Sequence, residues 1–149
     1  MLIGEACNRK VIIVGPEAAI DEVTRLMREY HIGNLIVVDE SSGKRLPVGI
    51  VSDRDLVVEI LAEGVALDAV NVGDIMSREP LTAGEDDELF DTLRRMRERG
   101  VRRVPVVDRE GALAGILAVD DVIDLLAEQL NDLVALIRNE LRHERERRV

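Results

Sequence analysis

GIVSDRDL, residues 49–56, returns 66 positions later as GILAVDDV, residues 115–122. Each octapeptide leaves an apolar run through Gly-Ile and carries an acid, Asp55 or Asp121, into the first turn of a helical pattern. The recurrence extends backwards. Displacing the chain by 69 positions lays residues 4–39 on 73–108 without a gap. The identical pairs are Gly4/Gly73, Arg9/Arg78, Gly15/Gly84, Arg25/Arg94, Met27/Met96, Arg28/Arg97, Glu29/Glu98, Val37/Val106, Val38/Val107 and Asp39/Asp108. Chance at ordinary composition gives about two or three. One motif is written twice.

Each copy has the same reading. A short apolar strand (Val11–Val14, or around Leu81–Ala83) stops at Gly15 or Gly84. Helical spacing follows, through Ile20, Val23, Met27 and Tyr30 in the first copy and Leu89, Leu93 and Met96 in the second. Two strands come next, LIVVD and PVGIV against VPVVD and ALAGIL, joined by loops containing Gly43 and Gly111. A second helix closes each unit. The predicted fold is therefore α/β (α+β): two β-α-β-β-α repeats with pseudo-twofold symmetry, plus an extended C-terminal helix. The predicted boundaries are 1–64 and 73–130 for the repeats, 65–72 for the linker and 131–149 for the helical extension. A unit of about sixty residues is marginal alone. Packed symmetrically, the two copies enclose a pair of related clefts where strand ends and helix starts converge.

Composition narrows the function. The net charge of −10 opposes nucleic acid, whose phosphates demand basic patches, and opposes anionic membrane surfaces. No apolar run approaches the roughly 20 residues of a membrane span, and VIIVG is too short for an export signal, so a cytoplasmic protein is expected. A single cysteine, Cys7, and two distant histidines, His31 and His143, exclude an internal disulfide, a multi-cysteine zinc site and a Cys/His nucleophile pair. Neither GxGxxG nor GxxxxGK[ST] occurs, so an enzyme is not expected. Cys7 reads as a small apolar packer and His31 as a helix-end residue. The run Glu85-Asp86-Asp87-Glu88 reads as acids complementing a helix dipole rather than as a cation site.

The duplicated VVD-loop-GIVSxxD and VPVVD-loop-GILAVDD, with VGDIMS opening the second copy, resemble a tandem pair of cystathionine-β-synthase (CBS) domains, a Bateman module. The resemblance covers about residues 4–130. It implies a regulatory module that binds an adenine nucleotide, AMP, ADP or ATP, between the copies, with S-adenosylmethionine or NAD ranked behind. It further implies that Ser52 contacts phosphate and Asp55 grips the ribose hydroxyls. Ile12, Ile36 and Pro105 lie where adenine would be sandwiched. Arg102 and Arg103, ahead of VPVV, are the candidates for phosphate charge, because family members often carry basic residues there.

The chemistry at GIVSDRDL suits two roles. Ser52 followed three residues later by Asp55 has the form of a capping box. A Ser hydroxyl beside free helix N–H groups also suits a phosphate, a carboxylate can accept both hydroxyls of a ribose, and Arg54 could meet a second phosphate oxygen. In the second copy Ala118 replaces Ser52, and Asp120 would cap the helix and repel a phosphate. Asp121 keeps the ribose position and Thr82 could supply a hydroxyl. Two unequal sites are expected, the one at Ser52 and Asp55 the stronger.

The helical pattern runs on past the repeat through Leu126, Leu130, Leu133, Ile137 and Leu141. Such a stripe packs most simply on a copy of itself, so a homodimer is expected; folding back, or an effector protein, are the alternatives. The leading functional reading is a free-standing sensor that signals to a partner through dimer shape. The alternative is a non-catalytic dimerisation or protein-interaction module with no physiological nucleotide.

Overall fold

The computed structural model describes residues 1–148 and contains both predicted units. The first comprises a short helix α1 (Ile3–Ala6), β1 (Ile13–Val14), α2 (Ile20–Tyr30), β2 (Asn34–Asp39), β3 (Leu46–Ser52) and a helical turn α3 (Asp53–Asp55) that continues as a π-wound segment, Leu56–Leu61. The second repeats the order as α4 (Val72–Ile75), β4 (Ser77–Arg78), β5 (Ala83–Gly84), α5 (Leu89–Arg99), β6 (Arg103–Val107), β7 (Leu113–Ala118) and α6 (Val119–Arg148). β1 and β5 start two residues later than the apolar runs suggest, because only Ile13–Val14 and Ala83–Gly84 find parallel partners, on β2 and β6.

The repeated residues have repeated jobs. β2 and β3, like β6 and β7, form antiparallel hairpins with a register shift at the same place, Val37/Val38 and Val106/Val107. Asp39 accepts the Ser41 N–H and Asp108 accepts those of Glu110 and Ala112, so the Asp of each VVD shapes its turn. Gly43 and Gly111 supply the left-handed residues these turns require, at φ of 86° and 83°. Helices α2 and α5 end alike, on His31 (φ 53°) and Gly100 (φ 66°), with their N–H groups returned to the last turn. Arg9 donates to the Gly4 carbonyl, and Arg78 to that of Gly73, so two identical pairs in the repeat are one bond made twice.

The opening segment of each repeat packs on the other repeat. Ile3 is fully buried in a core with Leu89, Val104, Val106 and Leu117, while Val72 is buried with Ile20, Leu35, Val37 and Val51. β4 pairs with β3 through Gly49↔Arg78 and Ile50↔Ser77, and Asn8 pairs with Ile116 in the same way. Glycine is needed where these segments cross. A Cβ on Gly49 would run into the Met76 side chain, and one on Gly115 would stand 2.8 Å from the Asn8 carbonyl oxygen and 2.9 Å from Cys7 Sγ. Cys7 and Met76, equivalent in the repeat, thus play the same packing role. Burial also pushes the Cys7 thiol up.

The final helices differ. In the first unit the π-wound turn, seen in the Ala62 N–H bonding the Val57 carbonyl, buries Ile60. In the second, α6 runs unbroken for 30 residues, and Leu126, which stands in the place of Ile60, is 41% exposed. Gly115→Ala is expected to lower stability by about 1–3 kcal/mol, since its Cβ meets backbone that cannot yield without shifting the crossed segment. Urea unfolding checks this: the midpoint falls while the slope stays unchanged.

Candidate functional site

Two clefts open between the repeats, and the repeat alignment carries one onto the other. The smaller, about 290 Å³, is lined by Asn8, Lys10, Ile12, His31, Ile36, Ile116, Ala118, Asp120 and Asp121 among others. The larger, about 710 Å³, is lined by the counterparts of all of these but Ile36 and Asp121, namely Ser77, Glu79, Leu81, Gly100, Ile50, Ser52 and Arg54. Asn34 and Arg103, themselves equivalent, line both. The exchange of His31 for Gly100 removes a side chain from the larger cleft.

Charge separates the two clefts more sharply than size. Arg54, Arg78, Arg99, Arg102 and Arg103 line the larger against a single carboxylate, Glu79. The smaller sets Lys10 and Arg103 against Asp120 and Asp121. One guanidinium N–H of Arg78 is donated to the Gly73 carbonyl at 2.8 Å, and Arg102 reaches Asp120 at 3.2 Å across an exposed pair. Such an exposed pair contributes little and is readily exchanged for a ligand phosphate. Glu79 sits at φ 49°, a left-handed conformation that non-glycine residues adopt at a cost, and turns the chain into the larger cleft.

Ser52 and Asp55 form the reciprocal cap that their spacing predicts. The Asp55 carboxylate accepts the Ser52 N–H at 2.8 Å, and the Ser52 hydroxyl oxygen accepts the Asp55 N–H at 3.2 Å. The cap leaves the Ser52 hydroxyl hydrogen available to a ligand, because a hydroxyl both accepts and donates. In the second repeat Ala118 precedes α6, and Asp120 lies within its first turn, paired with Arg102 rather than capping.

The sequence candidates therefore divide. Ser52, Arg54, Arg102 and Arg103 come together in the larger cleft; Ile12, Ile36, Arg103 and Asp121 line the smaller. Asp55 is held beside Ser52 by the cap and is not itself among the lining residues of either cleft. Thr82 is half-buried and Pro105 is buried in β6 opposite Ile116, and neither is among the lining residues of these clefts.

A family model described as the CBS domain matches residues 3–62 and again residues 72–128. The chain belongs to the CBS-domain family. An uncharacterized protein of Methanopyrus kandleri is 36% identical over 140 residues, covering 94% of this chain and 68% of its own length. Among solved structures, CBSX2 in complex with AMP is 30% identical with a TM-score of 0.70, covering 87% of this chain and 98% of that one. The CBS domain pair of protein MJ0100, in complex with 5'-methylthioadenosine and S-adenosyl-L-methionine, is 26% identical at the same TM-score and the same coverage of both chains.

Within this CBS pair, Arg78 and Arg99 are cleft residues that sequence reasoning missed. Arg78 had a signal in its identity with Arg9; Arg99 had only its place beside the helix-ending Gly100. The acidic run is taken up by the protein itself. Glu85 pairs with Arg9, Asp86 with Arg109 at 3.0 Å and Asp87 with Arg95 at 2.9 Å, while Glu88 caps α5 by accepting the Asp91 N–H. That bond, helped by the Phe90 N–H, holds the Glu88 carboxyl below the usual carboxylate range. No cluster of metal-ligating side chains occurs among the described residues, and no helix among them is long and apolar enough to cross a membrane. Ser52→Ala removes the cap's acceptor, and a loss of about 0.5–2 kcal/mol in chemical denaturation is expected, with the secondary structure by circular dichroism retained.

Proposed function

We propose that this CBS pair is a non-catalytic, ligand-sensing regulatory module that binds an adenine nucleotide in the arginine-lined cleft and signals through the shape of a homodimer. The observation that carries the reading is the meeting of both repeats' charges there: Arg54 beside Ser52 from one, Arg99, Arg102 and Arg103 from the other. In a chain of net charge −10, five guanidinium groups against one carboxylate make a local field that attracts phosphate. Ile50, Pro80, Leu81 and Val101 give the same cleft an apolar wall for a base. Ser52 donates to a phosphate oxygen in this reading, and Asp55 accepts from the ribose through the carboxylate oxygen that the cap leaves unused. The smaller cleft, with Asp120 and Asp121 at its wall, disfavours a phosphate and is the weaker site; Ile12 and Ile36 flank the base there. The AMP complex of CBSX2, a structural neighbour along nearly its whole length, supports the ligand class.

The homodimer rests on α6. Ile123, Leu126, Leu130, Leu133, Val134, Ile137 and Leu141 are all exposed, and at 100° per residue they fall in an arc of about 100°. An apolar face of that width and length is a contact surface.

Thermal unfolding of the full chain with AMP, ADP, ATP or a guanine nucleotide at about a millimolar tests the nucleotide reading. A ligand at 100 times its dissociation constant adds about 2.7 kcal/mol, which raises the midpoint by roughly 5–10 °C for a chain of this size. The expected result is a shift selective for adenine and larger for more phosphates, lost in the double variant Arg54→Ala, Arg103→Ala, which leaves the Ser52 cap intact. The absence of a shift with every nucleotide would falsify the sensor reading and favour the interaction module with no nucleotide.

A further inference from the structure

The apolar face of α6 joins two halves of opposite charge. Residues 119–132 carry five carboxylates and no base, and residues 133–148 carry five arginines against three glutamates. Little of this charge is used within the chain. Asp124 and Glu128 on the acidic half, and Arg138, Arg142 and Arg145 on the basic half, form no ion pair among the described residues.

We infer that α6 pairs antiparallel with the α6 of a second copy, about a twofold axis between Leu133 and Val134. The inference rests on the homodimer reading above and adds its orientation and register. Reversing the helix about that point sets Leu126 opposite the partner's Leu141, Leu130 opposite the partner's Ile137, and Leu133 opposite the partner's Val134. All of these side chains lie in the one apolar arc, so a single interaxial distance of about 8–10 Å serves every layer. The same reversal lays each acidic half along the other copy's basic half, at separations near the Debye length, where the attraction is felt. A parallel pair would put arginines along arginines and carboxylates along carboxylates, with like charges repelling over the whole contact. Charge therefore selects the orientation that the apolar face alone leaves open.

The register has a consequence for the clefts. It brings residues 144–148 of the second copy, three arginines against two glutamates, alongside the first turn of α6. Asp120 and Asp121 of that turn wall the smaller cleft. The second copy thus lowers the negative charge that opposes a phosphate there.

Cysteine cross-linking of the full chain in a Cys7→Ala background decides the matter. Leu126→Cys and Leu141→Cys chains are prepared separately, mixed and oxidised. The expected product is the mixed disulfide, at least ten-fold over the disulfide of Leu126→Cys with itself, because those two positions stand about 22 Å apart in the antiparallel pair. A Leu126→Cys self-disulfide in equal yield overturns the orientation while keeping the dimer. A monomer by light scattering of the unmutated chain overturns the dimer as well and leaves the nucleotide reading standing. As a second check, Arg142→Glu with Arg145→Glu is expected to weaken self-association about ten-fold at low salt. Mixing with the Asp124→Arg, Glu128→Arg chain restores it in this arrangement, and undiminished association of the arginine variant alone overturns the inference.

Discussion

The crossing of residues 2–9 and 71–78 between the repeats is the constraint on which the molecule depends. Each segment lays an antiparallel bridge on the glycine of the other repeat's GI strand, Asn8 on Ile116 beside Gly115 and β4 on β3 at Gly49. Each also drives one fully buried aliphatic residue, Ile3 or Val72, into the other repeat's core. Burying such a side chain contributes about 1.5–3 kcal/mol, so separating the repeats would open both cores at once. Neither repeat is a complete folding unit. The clefts lie between repeats held in this way, so their walls are positioned by packing as well as by the chain that joins the repeats.

Most of the fold was legible because its devices are local. The Asp of VVD closes a turn with its own next residues, Gly43 and Gly111 sit where a left-handed residue is required, and the apolar periods of α2 and α5 match the faces they bury except at Tyr30, which is exposed at the end of α2. The crossing was not legible, because an alignment of the chain on itself shows which segments are alike and not which one each lies against. Only Gly49 and Gly115 hinted at it, as identical glycines inside strands where a side chain would otherwise be expected. The different winding of the two final helices was equally hidden. LVVEIL and VIDLLA have nearly the same apolar pattern, yet one buries Ile60 through a π turn and the other leaves Leu126 outside.

The candidate site was half legible for a similar reason. Ser52, Arg54, Arg102 and Arg103 were found because they flank motifs, and the structure gathers them from two repeats into one cleft. Ser52 and Asp55 illustrate why spacing alone left the question open: the cap is real, and it occupies one carboxylate oxygen and one hydroxyl lone pair while leaving the rest of both groups for another partner. Thr82 and Pro105 were placed by likeness of position, and they fall outside the two linings: Pro105 is buried in β6, and Thr82 stands half-buried just ahead of β5. Arg78 and Arg99 reach the larger cleft only through the crossing and the end of α5, neither of which a linear pattern displays.

Duplication has left the two copies different in a connected way. Where the first copy has Ser52 and Arg54 the second has Ala118 and Asp120, so the start of its last helix lacks the hydroxyl and the guanidinium, and that helix, which has no π turn, runs unbroken for 30 residues. At 1.5 Å per residue that helix is about 45 Å long, with the smaller cleft at its root and its apolar face beyond the domain. A rigid rod of this length converts angle into distance: a tilt of about 5° at the root carries the far end roughly 4 Å. Asp120 and Asp121 belong to both the wall of the smaller cleft and the first turn of this helix. The copy without the Ser52 hydroxyl and the Arg54 guanidinium is therefore the one whose last helix joins the cleft wall to an exposed apolar face.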